Sequence, residues 1–146
     1  MDIEKYISER LDPEIRWYSQ KASKNQKLYK RFQIIETILA TLIPLLSSHT
    51  NLSFMPFIIG VFGAAIAIIE SISKLYKFHE NWIQYRSTAE MLKHEKYLFL
   101  TKSRPYLNSE ESIVNTFVQN IEEIISSESK SWSQMNMENL PSNSNN

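Results

Sequence analysis

Two apolar stretches, residues 32–46 and 54–69, stand near the middle of the chain with charged sequence on either side. The second has no charge in sixteen residues, and its Pro56 falls in the first turn of a helix, where a missing N–H is tolerated. Extended to 32–50 and 52–70, each reaches nineteen residues, close to the roughly 20 that a helix needs to cross about 30 Å of hydrocarbon. Upstream, Asp12, Pro13 and Glu14 supply an N-cap, a proline at the first helical position and an acid in the first turn, so a new helix is predicted to start there. It runs through a basic segment, 13–31, into the first span, and residues 1–11 have room for a short helix of their own. After Glu70 neither Gly nor Pro occurs until Pro105, while Leu75, Phe78, Trp82, Tyr85, Ala89, Leu92 and Phe99 recur at three- and four-residue steps. That period predicts a long helix over 71–102. Asn108 with Glu111 reads as a capping box opening a helix over 109–132, whose Ile113, Phe117, Ile121, Ile124, Ile125 and Trp132 form one apolar stripe that folds back on 71–102. Residues 133–146, rich in Ser, Asn and Met with a Pro and without a period, are expected to be disordered.

The flanks orient the two spans. Lys21, Lys24, Lys27, Lys30 and Arg31 precede the first and Lys74, Lys77 and Arg86 follow the second, whereas 47–53 contains neither Lys nor Arg. An excess of cationic residues on one side marks the cytoplasmic side, which places both termini there. Tyr29, Phe32, Tyr76, Phe78 and Trp82 then lie at the inner interface, where amphipathic rings collect. The predicted fold class is all-α: a two-span transmembrane helical hairpin with long cytoplasmic helices packed as a bundle, residues 1–132 forming one domain. Its expected partner is the lipid bilayer of a plasma membrane, crossed more than once. Two other readings compete: a soluble bundle that buries the hairpin, and a nucleic-acid face on the basic segment. Sixteen basic and sixteen acidic side chains cancel, which removes the overall attraction to polyphosphate, and no nucleic acid is expected.

Within the spans the pattern divides again. At 100° per residue Gln33, Glu36, Thr37, Ala40, Thr41, Pro44 and Ser48 occupy one arc of the first helix, and the remainder is Ile and Leu. A carboxylate more than one turn inside the boundary set by Arg31 costs a few kcal/mol unless protonated, paired or wetted, so Glu36 is a candidate functional residue. Gln33, Glu36, Thr37 and Thr41 form a candidate pore lining. On the second helix Gly60, Gly63, Ala64 and Ala67 share a face with small residues four apart, a spacing that lets helices approach closely. The ordinary account is that the two seams close the hairpin; the sharper one is that several hairpins assemble into a homo-oligomer around the polar stripe.

Composition narrows the chemistry. With no cysteine there is no disulfide, thiolate metal site or cysteine nucleophile, and residues 1–31 contain no apolar core of a cleaved secretory signal. His79, Arg86, Glu90 and His94 lie along one side of the predicted long helix, yet neither His-Glu dipeptide is followed by a His four residues on, and an Arg would stand among the ligands. No metal or other cofactor is expected. A Gly-rich phosphate loop and a GxSxG elbow are both missing, so no enzymatic activity is predicted.

The segments LDPEIRWYSQKA, ESISKLYKFHENWIQYRSTAEMLKHEKYLFL and ESKSW, arranged around two apolar runs, resemble the bacterial family catalogued as domain of unknown function 4231, within the SLATT superfamily of SMODS and SLOG-associating two-transmembrane effectors. The resemblance covers about residues 11–132, and NWIQYRSTAE is its most specific part. It implies a two-span inner-membrane effector of prokaryotic conflict systems that perforates or perturbs the membrane when a separate sensor protein signals infection. It supplies no catalytic residue. Matching positions are Trp17, Tyr18, Trp82, Tyr85, Arg86, Glu90, Glu95, Tyr97, Glu128 and Trp132, expected to form a cytoplasmic packing and ion-pair layer that sets oligomer geometry. A non-conducting, membrane-anchored adaptor for a cytoplasmic partner is the alternative function.

Overall fold

The computed structural model describes residues 2–48, 52–107 and 110–137, the last range without the side chains of Glu110, Glu111, Trp132 and residues 135–137. The protein is all-helical, with no strand among the described residues. Helix α1 spans Ile3–Tyr6, α2 Asp12–Ser47, α3 Met55–Tyr76, α4 Phe78–Leu100 and α5 Glu110–Met137.

Local chemistry explains most boundaries, and in three places it departs from the sequence reading. Asp12 is not an N-cap. The chain reaches it already helical through a π-helical turn, Ile7–Leu11, and Asp12 has helical φ −65° and ψ −38°. That wide turn precedes Pro13, which has no N–H to offer the preceding turn. The Asp12 carboxylate instead accepts from Lys96 Nζ at 2.5 Å. The long helix expected over 71–102 breaks at Lys77, whose φ of 48° and ψ of 43° end α3 in a left-handed cap. The Asn81 side chain donates to the Tyr76 carbonyl at 3.0 Å, satisfying one of the orphan acceptors of that helix end. Finally, α5 continues to Met137, so residues 133–137, expected to be disordered, are helical. The Asn108 and Glu111 capping box and residues 138–146 fall outside the described residues or side chains.

The chain divides into two compact units, one holding the described residues of Met1–Gln20 and Gln84–Asn146, the other Lys21–Ile83. The first has a dense core. Leu11, Ala89, Leu92, Phe117 and Ile121 have no exposed surface, Tyr18 and Tyr106 are nearly as buried, and Ile113, Ile124 and Ile125 pack on them from α5. Phe99 stacks on Phe117 at 4.2 Å, and Tyr106 meets Phe117 edge to face at 5.9 Å, the geometries that ring quadrupoles prefer.

The second unit is an antiparallel helix pair. Tyr29 meets His79, Phe32 meets Phe78 and Glu36 meets Glu70, so residue number rises along α2 as it falls along its partner. The half-buried face of α3 is Ile58, Phe62, Ala65, Ile66 and Ile69. Gly60, Gly63, Ala64 and Ala67 are exposed, and a methyl group added at either glycine would meet nothing within 4 Å. The small-residue seam therefore does not close the hairpin: larger side chains fill that contact, and the seam is left open. The helical stretch Met55–Leu100, counted across Lys77, is long and apolar enough to cross a membrane, and only 6 % of its apolar window is buried. Among the described residues no second helix reaches that mark, because α2 mixes Gln33, Glu36, Thr37 and Thr41 into its apolar half.

Candidate functional site

In the second unit, one open groove of about 640 Å³ collects the polar stripe of α2. Gln33, Glu36, Thr37 and Thr41 line it together with Glu70, Ser73 and Lys74 of α3 and His79 and Glu80 of α4. The four candidate pore-lining residues are thus brought together, with partners the sequence reading did not assign. Glu36 and Glu70 both line the groove, and Glu70 also forms an ion pair with Lys74 at 2.9 Å. Thr37 donates to the Gln33 carbonyl and Thr41 to the Thr37 carbonyl, each at 2.7 Å. With their protons turned back onto the helix, both hydroxyls offer the groove lone pairs only. Pro44 has no N–H to give the carbonyl of Ala40, another lining residue. Apart from Lys74 and the neutral donors of Tyr29, Gln33 and Ser73, the lining chemistry of α2 and α3 is that of an acceptor.

At one end of the groove the rings form a stack: Tyr29 lies 4.8 Å from His79 and 6.4 Å from Trp82, while Phe78 meets Phe32 at 5.7 Å and Tyr76 at 5.5 Å. The five residues expected at an inner interface fall in two ring groups, Tyr29 and Trp82 with His79, and Phe32 and Tyr76 with Phe78. Outside them, Ile34, Ile35, Ile38 and Leu45 of α2 and Phe57, Val61, Ile68 and Ile72 of α3 are exposed.

The expected ion-pair and packing layer resolves into separate groups. In the first unit Trp17, Tyr18 and Tyr85 form one aromatic cluster, with Trp17 edge-on to Tyr18 at 4.9 Å and to Tyr85 at 5.7 Å. The Tyr18 hydroxyl donates to Glu128 at 3.2 Å. Burial pushes the Glu128 carboxyl above its ordinary range, against the opposing effect of that hydrogen bond. Burial likewise raises the Tyr18 and Tyr85 hydroxyls, reinforced by the Glu128 charge. Glu95 sits elsewhere, accepting from the hydroxyl of Tyr106 and from Asn120 Nδ2 at 2.8 Å. Arg86 and Glu90 pair at 3.2 Å on an exposed face, with Lys93 as a second partner of Glu90 at 3.1 Å. Tyr97 is exposed and Trp82 belongs to the second unit; the Trp132 side chain lies outside those described.

A polar knot escaped the sequence reading altogether. Glu122 accepts from the Tyr6 hydroxyl at 2.8 Å and from Arg10 at 3.3 and 3.4 Å, and Arg10 also bonds Glu14 at 2.6 Å. Burial would raise the Glu122 carboxyl, but the hydrogen bonds from Arg10 and Tyr6 hold it below its usual range. No periodic pattern marks such a knot, since Glu122 stands more than a hundred residues from Tyr6 and Arg10. Among the described residues no group of three or more His, Cys, Asp or Glu is placed to hold a metal ion.

A family model described as Protein of unknown function (DUF4231) matches residues 13–113. No curated protein and no solved structure matches the chain.

Proposed function

Since the chain belongs to the DUF4231 family, we propose that it is a two-span protein of a bacterial inner membrane that assembles into an oligomer and perforates or perturbs that membrane as the effector of a conflict system. Its first span is residues 32–50, of which α2 supplies 32–47, and its second is 52–70, with both termini cytoplasmic. The cations at Lys21–Arg31 and at Lys74, Lys77 and Arg86 support that orientation, as does the aromatic cluster beside them. Exposed Ile and Leu on the outer faces suit lipid tails, and continuous apolar surface of this kind is rare on soluble monomers. The resemblance to two-transmembrane effectors supports the biological assignment.

The observation that carries the reading is the acceptor-rich groove at Glu36 and Glu70. An anchor has no use for a carboxyl pair inside a bilayer, whereas a ring of such grooves around an oligomer axis would favour cations. Gly60, Gly63, Ala64 and Ala67, open in the single chain, are the seam along which copies approach. The chain acts as a membrane device and performs no catalysis in this reading; its trigger comes from a separate sensor or from membrane stress. The second reading, a non-conducting adaptor, is favoured by the open aromatic pocket of the first unit, which offers a partner a place to dock.

Inducible expression with a membrane-potential dye tests the proposal. Wild type should depolarise cells, and Glu36→Leu should not, with insertion and oligomer size unchanged. Equal depolarisation by both, or none by either with the neighbouring system components present, would move the assignment to the adaptor.

A further inference from the structure

The groove of the second unit is unevenly charged. Three carboxyls line it, Glu36 of α2, Glu70 of α3 and Glu80 of α4, against a single lysine, Lys74. Lys27, Lys30, Arg31 and Lys77 belong to the same unit, yet none of them is in the lining. The antiparallel pairing of Tyr29 with His79 and of Phe32 with Phe78 orders these groups along the groove. His79 and Glu80 stand at the end that the membrane reading makes cytoplasmic, Lys74 follows, and Glu70 lies one helical turn, about 6 Å of rise, beyond Lys74. Side chains on a helix lean toward its N-terminus, which for α3 is the direction away from that end. Lys74 is thereby aimed along the groove, and its Nζ meets the Glu70 carboxylate at 2.9 Å. In water an i,i+4 Glu-Lys pair is worth little, so the position of this one matters more than its strength.

We propose that Lys74 is the selectivity-determining residue of this groove, a tethered cation that occupies Glu70 and that any ion moving along the groove must displace or pass. The proposal rests on the pore reading and names the group that limits the flow. Rings of charged side chains set which ions a pore admits, and conduction needs sites that release a cation as well as bind it. A lysine suits such a post: its ammonium is a compact charge on a flexible four-carbon stem, able to leave one carboxylate for another without moving the backbone. Each copy in an assembly contributes one such ammonium, so removing it raises the excess of carboxylates over cations by one charge in every copy.

The test is the reversal potential of the purified full chain in planar lipid bilayers under a potassium chloride gradient, with insertion checked by flotation of proteoliposomes. Wild type should favour potassium over chloride. Lys74→Gln should raise that permeability ratio by about threefold or more, and Lys74→Arg, which keeps the charge, should leave it near the wild-type value. Glu70→Gln frees the ammonium and should move the ratio toward chloride. Lys77→Gln removes a neighbouring cation that is not in the lining and should change the ratio little. With wild type conducting, an unchanged ratio in Lys74→Gln, or an equal rise in Lys77→Gln, would overturn the proposal and leave the pore reading standing. Current from neither wild type nor Lys74→Gln, with both inserted, would remove the pore reading and this proposal with it.

Discussion

Replacing Phe117 by alanine should be the most damaging single change in the first unit. The side chain is completely buried, stacks on Phe99 at 4.2 Å and receives Tyr106 at 5.9 Å, and it shares its core cluster with Leu11, Leu92 and Ile121. Removing a phenyl ring from such a site loses its transfer free energy and leaves a cavity that neighbouring helices fill only in part, a cost of about 3–5 kcal/mol. For a chain of this size that corresponds to a fall in melting temperature on the order of 10 °C. Phe117→Leu keeps much of the volume and should cost about 1–2 kcal/mol. Urea denaturation of the detergent-solubilised protein, followed by circular dichroism, measures both. A loss under about 1 kcal/mol for the alanine variant would refute the reasoning, because a fully enclosed ring cannot be removed so cheaply from a packed core.

Three further outcomes follow from the same geometry. Glu122 is held below the ordinary carboxylate range by Arg10 and Tyr6, so its contribution to stability is complete above that range and is lost as pH falls through its folded-state value; Glu122→Gln should flatten the acid limb of urea midpoints measured from pH 7 to pH 3. Glu128 has the opposite sign: its raised value penalises the folded state once pH exceeds the unfolded carboxylate range, so Glu128→Gln should be at least as stable as wild type at pH 7 by the same assay. At Gly63 an added Cβ meets nothing within 4 Å, so Gly63→Leu should leave the fold intact, yet it should reduce chemical cross-linking between copies; unchanged cross-linking and sizing would show that the seam is not an interface.

Periodic apolar positions were legible and polar junctions were not. The α5 stripe of Ile113, Phe117, Ile121, Ile124 and Ile125 is the wall of the core, because a helix exposes its buried face to sequence reading through its 3.6-residue period. Of the stripe from Leu75 to Phe99 only Leu75 falls out: it is 78 % exposed and precedes the left-handed turn at Lys77, whereas Phe78, Trp82, Tyr85, Ala89, Leu92 and Phe99 after the turn are half-buried or buried. Nothing in a lysine marks such a turn, which usually calls for Gly or Asn. Of the polar residues, Glu36 was legible as an anomaly in apolar text, whereas its partner Glu70 stood at the span boundary, where a charge is unremarkable. Tyr106, Asn120 and Glu122 had no local signature, because hydrogen bonds between distant segments leave no spacing to read. The Gly and Ala spacing of α3 is visible in the sequence, yet those four residues are exposed, since bulkier residues of α3 take the contact with α2.

The central claim is that the helix pair of the second unit crosses a bilayer twice with both termini inside. The chain has no cysteine, so single-cysteine variants report position without background. In intact cells a membrane-impermeant maleimide should label Ser48→Cys, at the end of α2, and should label Ser8→Cys and Ser133→Cys only after the membrane is opened. Protection of Ser48→Cys in intact cells together with release of the protein by alkaline carbonate would contradict the account and restore a soluble helical bundle.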